Sequence, residues 1–137
     1  MSEALSFRFH VDGDDFTSAG QASVQVKKDL RRLGIPAEII RRVSIAMYEG
    51  EINMVIHAGG GEAEVRVTEE AIEIILSDTG PGIADIEKAR EPFYTTKSAQ
   101  ERSGMGFSFM EAFMDVVKVE SVPKKGTTIT MTKRIGV

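Results

Sequence analysis

The first candidates for chemistry in this 137-residue sequence are an acid and an amide four positions apart, Glu49 and Asn53. On a helix this spacing places both side chains on one face, about one turn from each other. A carboxylate and an amide so placed can share a divalent cation and act on a nearby nucleophile. The alternative is a solvated polar face, the commoner role of such residues on helices. Gly50 favours the functional interpretation, because a glycine inside a helix costs about 1 kcal/mol relative to alanine.

A second candidate is the segment 78–82, of sequence DTGPG, which follows an apolar strand pattern. The Asp78 carboxylate could accept a hydrogen bond from an exocyclic amine such as that of adenine. Gly80 and Gly82 would let the backbone turn sharply and approach a flat ligand. The alternative is an ordinary turn, since Asp-x-Gly is among the commonest turn sequences.

A third candidate is a glycine-rich segment, Gly104-Met105-Gly106, that directly precedes an apolar-periodic helix. Such a segment exposes backbone N–H groups and the positive end of the helix dipole, which together bind phosphate. Lys97 and Arg102 would supply positive charge from the same loop. The alternative is a flexible loop with a helix cap. The P-loop and Rossmann patterns are both absent, so a nucleotide site here would be of another kind.

The last candidate is Thr128, in the segment 126–130 of sequence GTTIT. This segment opens the final predicted strand, and a threonine there could lie near the edge of a base. Strand propensity alone explains the threonines equally well, because β-branched residues suit strands.

The composition limits the classes of protein that these residues could serve. With 137 residues, 42% hydrophobic and 28% charged, the chain predicts one globular domain over residues 1–137. It has no cysteine and two histidines, which argues against thiol chemistry, disulfides and a histidine-rich metal site. The net charge of −4 gives no drive toward nucleic acid. Neither a membrane span nor a signal sequence is evident, so we expect a cytoplasmic protein without membrane or direct nucleic-acid partners.

The hydrophobic periodicity predicts the elements that must position the candidates, in the order β-α-α-β-β-α-loop-α-β-β. Leu5 to Val11 alternate as a strand, and a helix ending at Gly34 follows. A second helix begins near Pro36 and ends at a glycine turn, residues 59–61. Adjacent strand pairs predict a mixed, mostly antiparallel sheet with the helices on one face, a two-layer α/β sandwich. The expected caps of the first helix are side chains that precede it: Asp14, Asp15, Thr17 and Ser18.

Two further segments are predicted between the two pairs of adjacent strands. A short helix is expected at Ile83–Arg90, and residues 91–106 lack periodicity. A loop of that length inside a compact domain is uncommon and is usually a functional lid.

Taken together, the four candidate segments resemble the conserved boxes of the GHKL ATPase superfamily, which has the Bergerat ATP-binding fold. The superfamily includes gyrase, histidine kinases and mismatch-repair ATPases. Within it, residues 91–97 (EPFYTTK) and 101–107 (ERSGMGF) closely resemble the lid of the bacterial anti-sigma factor serine/threonine kinases, particularly the sporulation type. The short glycine turn at 58–62 is more similar to the switch kinases of the stress cascade.

The resemblance implies a site for ATP and Mg²⁺ and a role for each matching residue. Glu49 would be the general base and Asn53 the Mg²⁺ ligand, while Asp78 would bind the adenine amine, with Gly82 and Thr128 beside the base. The lid would bring backbone amides and positive charge to the phosphates. The remaining nucleotide-binding residues so implied are Gly80, Thr95, Thr96, Lys97, Arg102, Ser103, Gly104, Met105 and Gly106.

The resemblance also implies a function and its partners. The main hypothesis is a protein kinase that phosphorylates a small antagonist-type (STAS-like) domain in a sigma-factor partner-switching pathway. The alternative is a nucleotide-dependent anti-sigma factor that sequesters an RNA polymerase sigma factor with little or no kinase activity. A homodimer is expected in either case. The basic face of the first helix, Lys27, Lys28, Arg31 and Arg32, is either a surface for an acidic partner or simply a solvated face.

Overall fold

The protein folds as a five-stranded sheet covered on one face by three helices, seen in a computed structural model that describes residues 5–12, 20–55, 59–80, 106–122 and 124–135. The strands lie in the order β1-β2-β3-β5-β4, and every pair of neighbours among them is antiparallel. This confirms the predicted two-layer α/β architecture. The elements are β1 (Leu5–Asp12), α1 (Gln21–Arg32), α2 (Ala37–Asn53), β2 (Gly60–Val67), β3 (Ala71–Asp78), α3 (Gly106–Phe113), β4 (Val116–Val122) and β5 (Gly126–Arg134).

The central strands form because their residues alternate between two different environments. On β2 and β3 every second residue is buried beneath the helices, as the pattern of period two predicts. The intervening residues point to the other face of the sheet, where Arg66 pairs with Glu64 at 3.1 Å and with Glu73 at 3.7 Å. The sheet therefore has one apolar face, which carries the helices, and one charged face.

The end of α1 follows the predicted glycine stop. Gly34 adopts a left-handed conformation with φ of 77°. The N–H of Gly34 donates to the Arg31 carbonyl, and the N–H of Ile35 donates to the Leu30 carbonyl, both at 3.1 Å. These bonds satisfy carbonyls that the helix end would otherwise leave unpaired. The chain then enters α2 directly after Pro36, which is the N-cap of that helix.

The start of α1 differs from the sequence prediction. Its N-cap is Gly20, with φ of 96° and no side chain to cap the helix. The expected caps Asp14, Asp15, Thr17 and Ser18 all lie outside the described residues. The first turn is capped instead by the carboxylate of Glu51, which belongs to α2.

Helix α3 is attached to α2 at two places. Near its middle, Met110 is fully buried and lies close to Gly50 of α2. At its end, the guanidinium groups of Arg41 and Arg42 lie over the ring of Phe113, at 5.6 and 5.7 Å from the ring centroid. Cation–π contacts of this kind stabilise the pairing of the two helices. Helix α3 is therefore fixed to the helix that carries Glu49 and Asn53.

One predicted feature differs in the structure, and two others lie outside the described residues, apart from one residue. Gly60 and Gly61, expected to end the second helix in a turn, instead open β2. The expected helix at Ile83–Arg90 lies outside the described residues, as does the lid at 91–106 except for Gly106, which begins α3. Among the described residues, no helix has both the length and the apolar character needed to cross a membrane.

Candidate functional site

The candidate residues Glu49 and Asn53 lie on the part of α2 that packs against the sheet. Glu49 is buried, with 6% of its surface exposed, and Asn53 is half-buried one turn further along. A β-carbon added at Gly50 would overlap the Cδ1 atom of Leu76 on β3. The absence of a side chain at Gly50 therefore lets α2 approach β3 two residues before Asp78. The helix interior glycine noted in the sequence has a physical reason, which is close helix–sheet contact.

The Asp78 carboxylate is held in place by one of its two oxygens. Its Oδ1 accepts hydrogen bonds from the backbone N–H of Gly80, at 2.9 Å, and from the backbone N–H of Thr127, at 3.2 Å. None of the hydrogen bonds among the described residues involves its Oδ2. A carboxylate fixed in this way can offer Oδ2 as an acceptor to a ligand amine.

Two other glycines bring backbone close to Asp78. A β-carbon at Gly126 would overlap the Asp78 carbonyl oxygen, and one at Gly61 would overlap the Ser77 carbonyl oxygen. The same position at Gly61 lies 3.1 Å from the sulfur of Met54, just after α2. Strands β2, β3 and β5 and the end of α2 thus meet around Asp78 without intervening side chains. This close packing of backbone holds the end of β3, which carries Asp78, against its neighbours.

The register of β3 and β5 decides which threonine shares a face with Asp78. Asp78 is directly opposite Thr127, and Ser77 is opposite Thr128. Opposed residues of an antiparallel pair point to the same side, and neighbours along a strand point to opposite sides. Thr127, which is buried, therefore lies on the helix side with Asp78, whereas Thr128 points to the charged face of the sheet. This corrects the placement of Thr128 beside the base.

A groove of about 980 Å³ runs between α1, β1 and α2, and Glu49 is part of its wall. The other side chains of α2 in this wall include Ser44 and Tyr48. Two exposed cations of α1, Lys27 and Lys28, also line the groove, as does Arg8 of β1, whose guanidinium group pairs with Glu64 at 3.7 Å. The buried acid at position 49 thus faces an open, positively charged channel. Two of the four basic residues singled out on the first helix, Lys27 and Lys28, belong to it.

The donor set is compatible with a nucleotide and a magnesium ion. No group of three or more His, Cys, Asp or Glu residues that could hold a metal exists among the described residues. A Mg²⁺ ion at Asn53 would therefore depend on phosphate and water for its other ligands, which is how Mg²⁺ is usually held beside nucleotides. At Asp78, the remaining Oδ2 acceptor fits an amine-bearing base.

Most of the predicted nucleotide-binding residues fall outside the described part of the chain. This set comprises Gly82, Thr95, Thr96, Lys97, Arg102, Ser103, Gly104 and Met105. Gly106 is described as the first residue of α3. From the predicted set, the structure places Glu49 and Asn53 on α2, which contacts β3 at Leu76, and Asp78 at the end of β3, opposite Thr127.

One buried acid was missed by the sequence analysis. Glu51 is 2% exposed, and its carboxylate accepts hydrogen bonds from Gly20, Ala22 and Ser23. The sequence did contain a signal, because Glu51 is four residues from Met47 and so lies on the apolar face of α2. A charged residue at a core-facing position usually has dedicated partners.

The fold and these residues define the protein as an ATPase domain of the histidine kinase-like type. A profile described as "Histidine kinase-like ATPase domain" matches residues 15–133, and the chain belongs to this family. The fold agrees with this assignment. The structure of the RsbU and RsbW domains of a Mycobacterium tuberculosis protein superposes with a TM-score of 0.69 at 17% identity, over 96% of this chain and 32% of that one. The mycobacterial sensor histidine kinase MprB gives a TM-score of 0.57 at 17% identity, over 98% and 97%.

Within the family, several similar proteins are named anti-sigma F factors. The chain is 39% identical over 120 residues to the one from Oceanobacillus iheyensis, which covers 83% of this chain and 82% of that protein. It is 35% identical over 137 residues to the one from Halalkalibacterium halodurans, which covers 96% and 90%. These similarities confirm the resemblance to anti-sigma factor kinases that the lid segment indicated.

Proposed function

We propose that this protein is an ATP-dependent serine/threonine kinase that phosphorylates a small antagonist-type domain and so regulates a sigma-factor partner-switching pathway. The observation that carries the proposal is the position of Glu49. It is a buried acid one turn from Asn53, on a helix docked against β3 beside Asp78, and it faces a groove open to a partner. The anti-sigma F factor names of the relatives support the same pathway.

In this proposal Glu49 acts as the general base. It takes the proton from an acceptor serine or threonine hydroxyl as that oxygen attacks the γ-phosphorus, a role that suits a positioned carboxylate. Its place in the groove wall, within reach of a segment of the partner, supports this role. The cations Lys27 and Lys28 of the same groove would attract a partner of acidic character.

Asn53 and Asp78 serve the nucleotide in this proposal. The amide oxygen of Asn53 would bind Mg²⁺, and Asp78 Oδ2 would accept from the adenine amine, with Thr127 on the same face. ATP supplies the transferable phosphoryl group, and Mg²⁺ neutralises its phosphate charge. The contacts assigned to the glycines after Asp78 and to the lid remain a prediction from the sequence: Gly80 and Gly82, then Thr95, Thr96, Lys97, Arg102, Ser103, Gly104, Met105 and Gly106.

The test is phosphoryl transfer from radiolabelled Mg-ATP to an antagonist domain encoded beside this protein. We expect phosphoserine or phosphothreonine on the partner. Glu49→Gln should retain ATP binding and lose transfer, by roughly 100-fold or more. Asn53→Ala should lose the Mg²⁺-dependent part of ATP affinity. Glu69→Gln, on an exposed turn, is the matched control and should behave as wild type. Folded protein that transfers no phosphate would refute the kinase proposal.

A second candidate function rests on the names of the relatives, which describe sigma-factor control rather than catalysis. In this version the protein sequesters a sigma factor in a nucleotide-dependent way and its kinase activity is secondary. Capture of purified sigma factor with ATP and with ADP distinguishes the two. Strong capture by both wild type and Glu49→Gln, without phosphorylation of any antagonist, would favour sequestration. We also propose that the protein acts in the cytoplasm as a homodimer, which light scattering of the purified chain can test.

A further inference from the structure

Glu51 connects α2 to the start of α1 through four hydrogen bonds. Its carboxylate accepts from the backbone N–H of Gly20 at 2.8 Å, Ala22 at 3.2 Å and Ser23 at 3.1 Å. The fourth bond comes from the Ser23 hydroxyl, at 2.6 Å. Both carboxylate oxygens are engaged, and only 2% of the residue is exposed. We refer to Glu51 and these three partners as the clamp.

The clamp stabilises the N-terminus of α1 and also fixes its position relative to α2. The first N–H groups of a helix have no partners within the helix, and they favour a negative charge. Here that charge comes from another helix, so the direction of α1 is set relative to α2. The ring of Tyr48 reinforces the contact, since a β-carbon at Gly20 would lie 2.8 Å from its Cε1 atom. Rotation of α1 about its buried middle is therefore restricted at one end.

The residues held by the clamp form one wall of the groove, and Glu49 belongs to the other. Gly20, Ala22 and Ser23 line the groove from α1, while Tyr48 and Glu49 line it from α2. Glu51 itself does not line the groove. It is two residues from Glu49 and two from Asn53 on the same helix. The buried side chain of Glu51 thus sets the separation between two parts of the groove. One is the wall at the start of α1, which would receive a segment of the partner, and the other is Glu49, which would act on that segment.

Stability alone does not account for a carboxylate at this place. Helix α1 is already anchored to the core by Val26 and Leu30, each fully buried. Replacing buried charged groups by well-packed apolar ones is often neutral or stabilising, so a buried acid is weak evidence for a stabilising role. The carboxylate of Glu51 adds an orientation, because several fixed donors must converge on its two oxygens.

We propose that Glu51 is a positioning residue for transfer to the protein partner: it holds the first turn of α1 at the distance from Glu49 that the partner's acceptor segment requires. The inference rests on the proposed kinase function and names a residue that acts through others, without contact to nucleotide or partner. Its loss should affect the partner and leave the nucleotide largely unaffected, because the Asp78 region is held by separate contacts.

The experiment compares Glu51→Gln, Ser23→Ala and Leu30→Ala in the full chain, at a temperature at which all are folded. Glu51→Gln removes the charge and one acceptor, whereas Ser23→Ala removes only the hydroxyl donor. Leu30→Ala loosens α1 from the core and leaves the clamp intact. We measure ATP affinity and the kcat and KM for the antagonist domain. We expect kcat/KM for the partner to fall roughly 10- to 100-fold in Glu51→Gln, mainly through KM, since small misplacements at a site have effects of that order.

The outcomes separate positioning from stability. The proposal is supported if the ATP affinity of Glu51→Gln stays within about twofold of the wild-type value. The kcat/KM of Ser23→Ala for the partner should lie between the values for Glu51→Gln and wild type. The partner KM should change far less in Leu30→Ala than in Glu51→Gln. The proposal is overturned if Glu51→Gln leaves the partner parameters unchanged, or if Leu30→Ala matches it at equal loss of stability. If wild type transfers no phosphate, the kinase proposal fails separately, and partner affinity by calorimetry replaces KM. If the wild-type protein also fails to bind the antagonist domain, both the kinase proposal and the positioning proposal are refuted.

Discussion

Gly50 of α2 lies directly against Leu76 of β3, so closely that the helix could carry no side chain at this position without displacing the leucine. Leu76 is itself 1% exposed and belongs to the buried core. This contact sets the height of α2 above the sheet between Glu49 and Asn53. The location of both candidate residues relative to Asp78 therefore depends on the absence of a single methyl group.

The first prediction concerns that methyl group. Gly50→Ala should lower the free energy of unfolding by about 1–3 kcal/mol through overpacking, although alanine favours helix by about 1 kcal/mol. It should also weaken ATP binding. Urea denaturation and calorimetric titration measure the two effects. In a double-mutant cycle with Leu76→Ala, the cost of Gly50→Ala should largely disappear. Additive effects of the two substitutions would show that the contact is not what limits helix position.

The second prediction tests the acceptor role of Asp78. In Asp78→Asn the amide oxygen can keep the bonds from Gly80 and Thr127, but the amide nitrogen cannot accept from a base amine. ATP affinity should fall about 10- to 100-fold, the effect of an unpaired polar contact. Titration with a purine nucleoside triphosphate that lacks the amine provides the control. Wild type should prefer ATP to this analogue, and the variant should not. A variant that retains the preference would assign recognition of the amine to other residues.

The third prediction separates the two neighbouring threonines. Thr127→Val removes a buried hydroxyl that bonds Ser121 at 2.8 Å, on the same side of the sheet as Asp78. We expect a loss of about 1 kcal/mol in stability and weaker ATP binding. Thr128→Val, on the opposite side, should change neither. Because both substitutions remove one hydroxyl and keep a β-branched side chain, each is the control for the other. Weaker binding in Thr128→Val alone would contradict the face assigned by the strand register.

The fourth prediction is a pH dependence at the start of β4. The pKa of Asp115 is lowered from its ordinary value of 3.8, first by the hydrogen bond from the Arg134 backbone N–H at 2.6 Å and then by the Lys133 ammonium group. A pKa that is lower in the folded state means that the ionised acid stabilises the fold. That contribution is present above the unfolded pKa and disappears as the pH falls through the folded pKa.

Asp115→Asn should therefore be less stable than wild type at pH 7, and the difference should vanish under acidic conditions below the lowered pKa. Urea midpoints measured at pH 7 and at a series of progressively more acidic pH values follow the difference. The exposed residue Glu69, changed to Gln, serves as the control for loss of one negative charge. An equal difference between wild type and Asp115→Asn at every pH would show that the aspartate acts through its shape and not its charge.

Local sequence patterns predicted those parts of the fold whose cause is local. The alternation from Leu5 to Val11 gave β1, and the glycine at position 34 gave the end of α1, because each depends on a few adjacent residues. The shared helix face of Glu49 and Asn53 was likewise predicted from their spacing. The start of α3 was predicted within one residue for the same reason.

What the sequence could not supply are relationships between distant segments. The cap of α1 comes from Glu51, 28 residues beyond Ser23, and local capping rules consider only the preceding residues. The choice between Thr127 and Thr128 depends on the β3–β5 register, and a shift of one residue reverses the face. Both corrections follow from tertiary contacts that periodicity does not encode.

The pairing of β3 with β5 also determines when the site can form during folding. Asp78 receives its hydrogen bond from Thr127, 49 residues further along the chain, although the two strands are neighbours in the sheet. Closing so long a loop costs entropy that local contacts do not repay, so such pairings form late. During synthesis, the end of β3 that carries Asp78, the proposed base-binding residue, stays incomplete until β5 has been made. A nucleotide that binds only the finished site would then stabilise the completed chain and none of its shorter precursors.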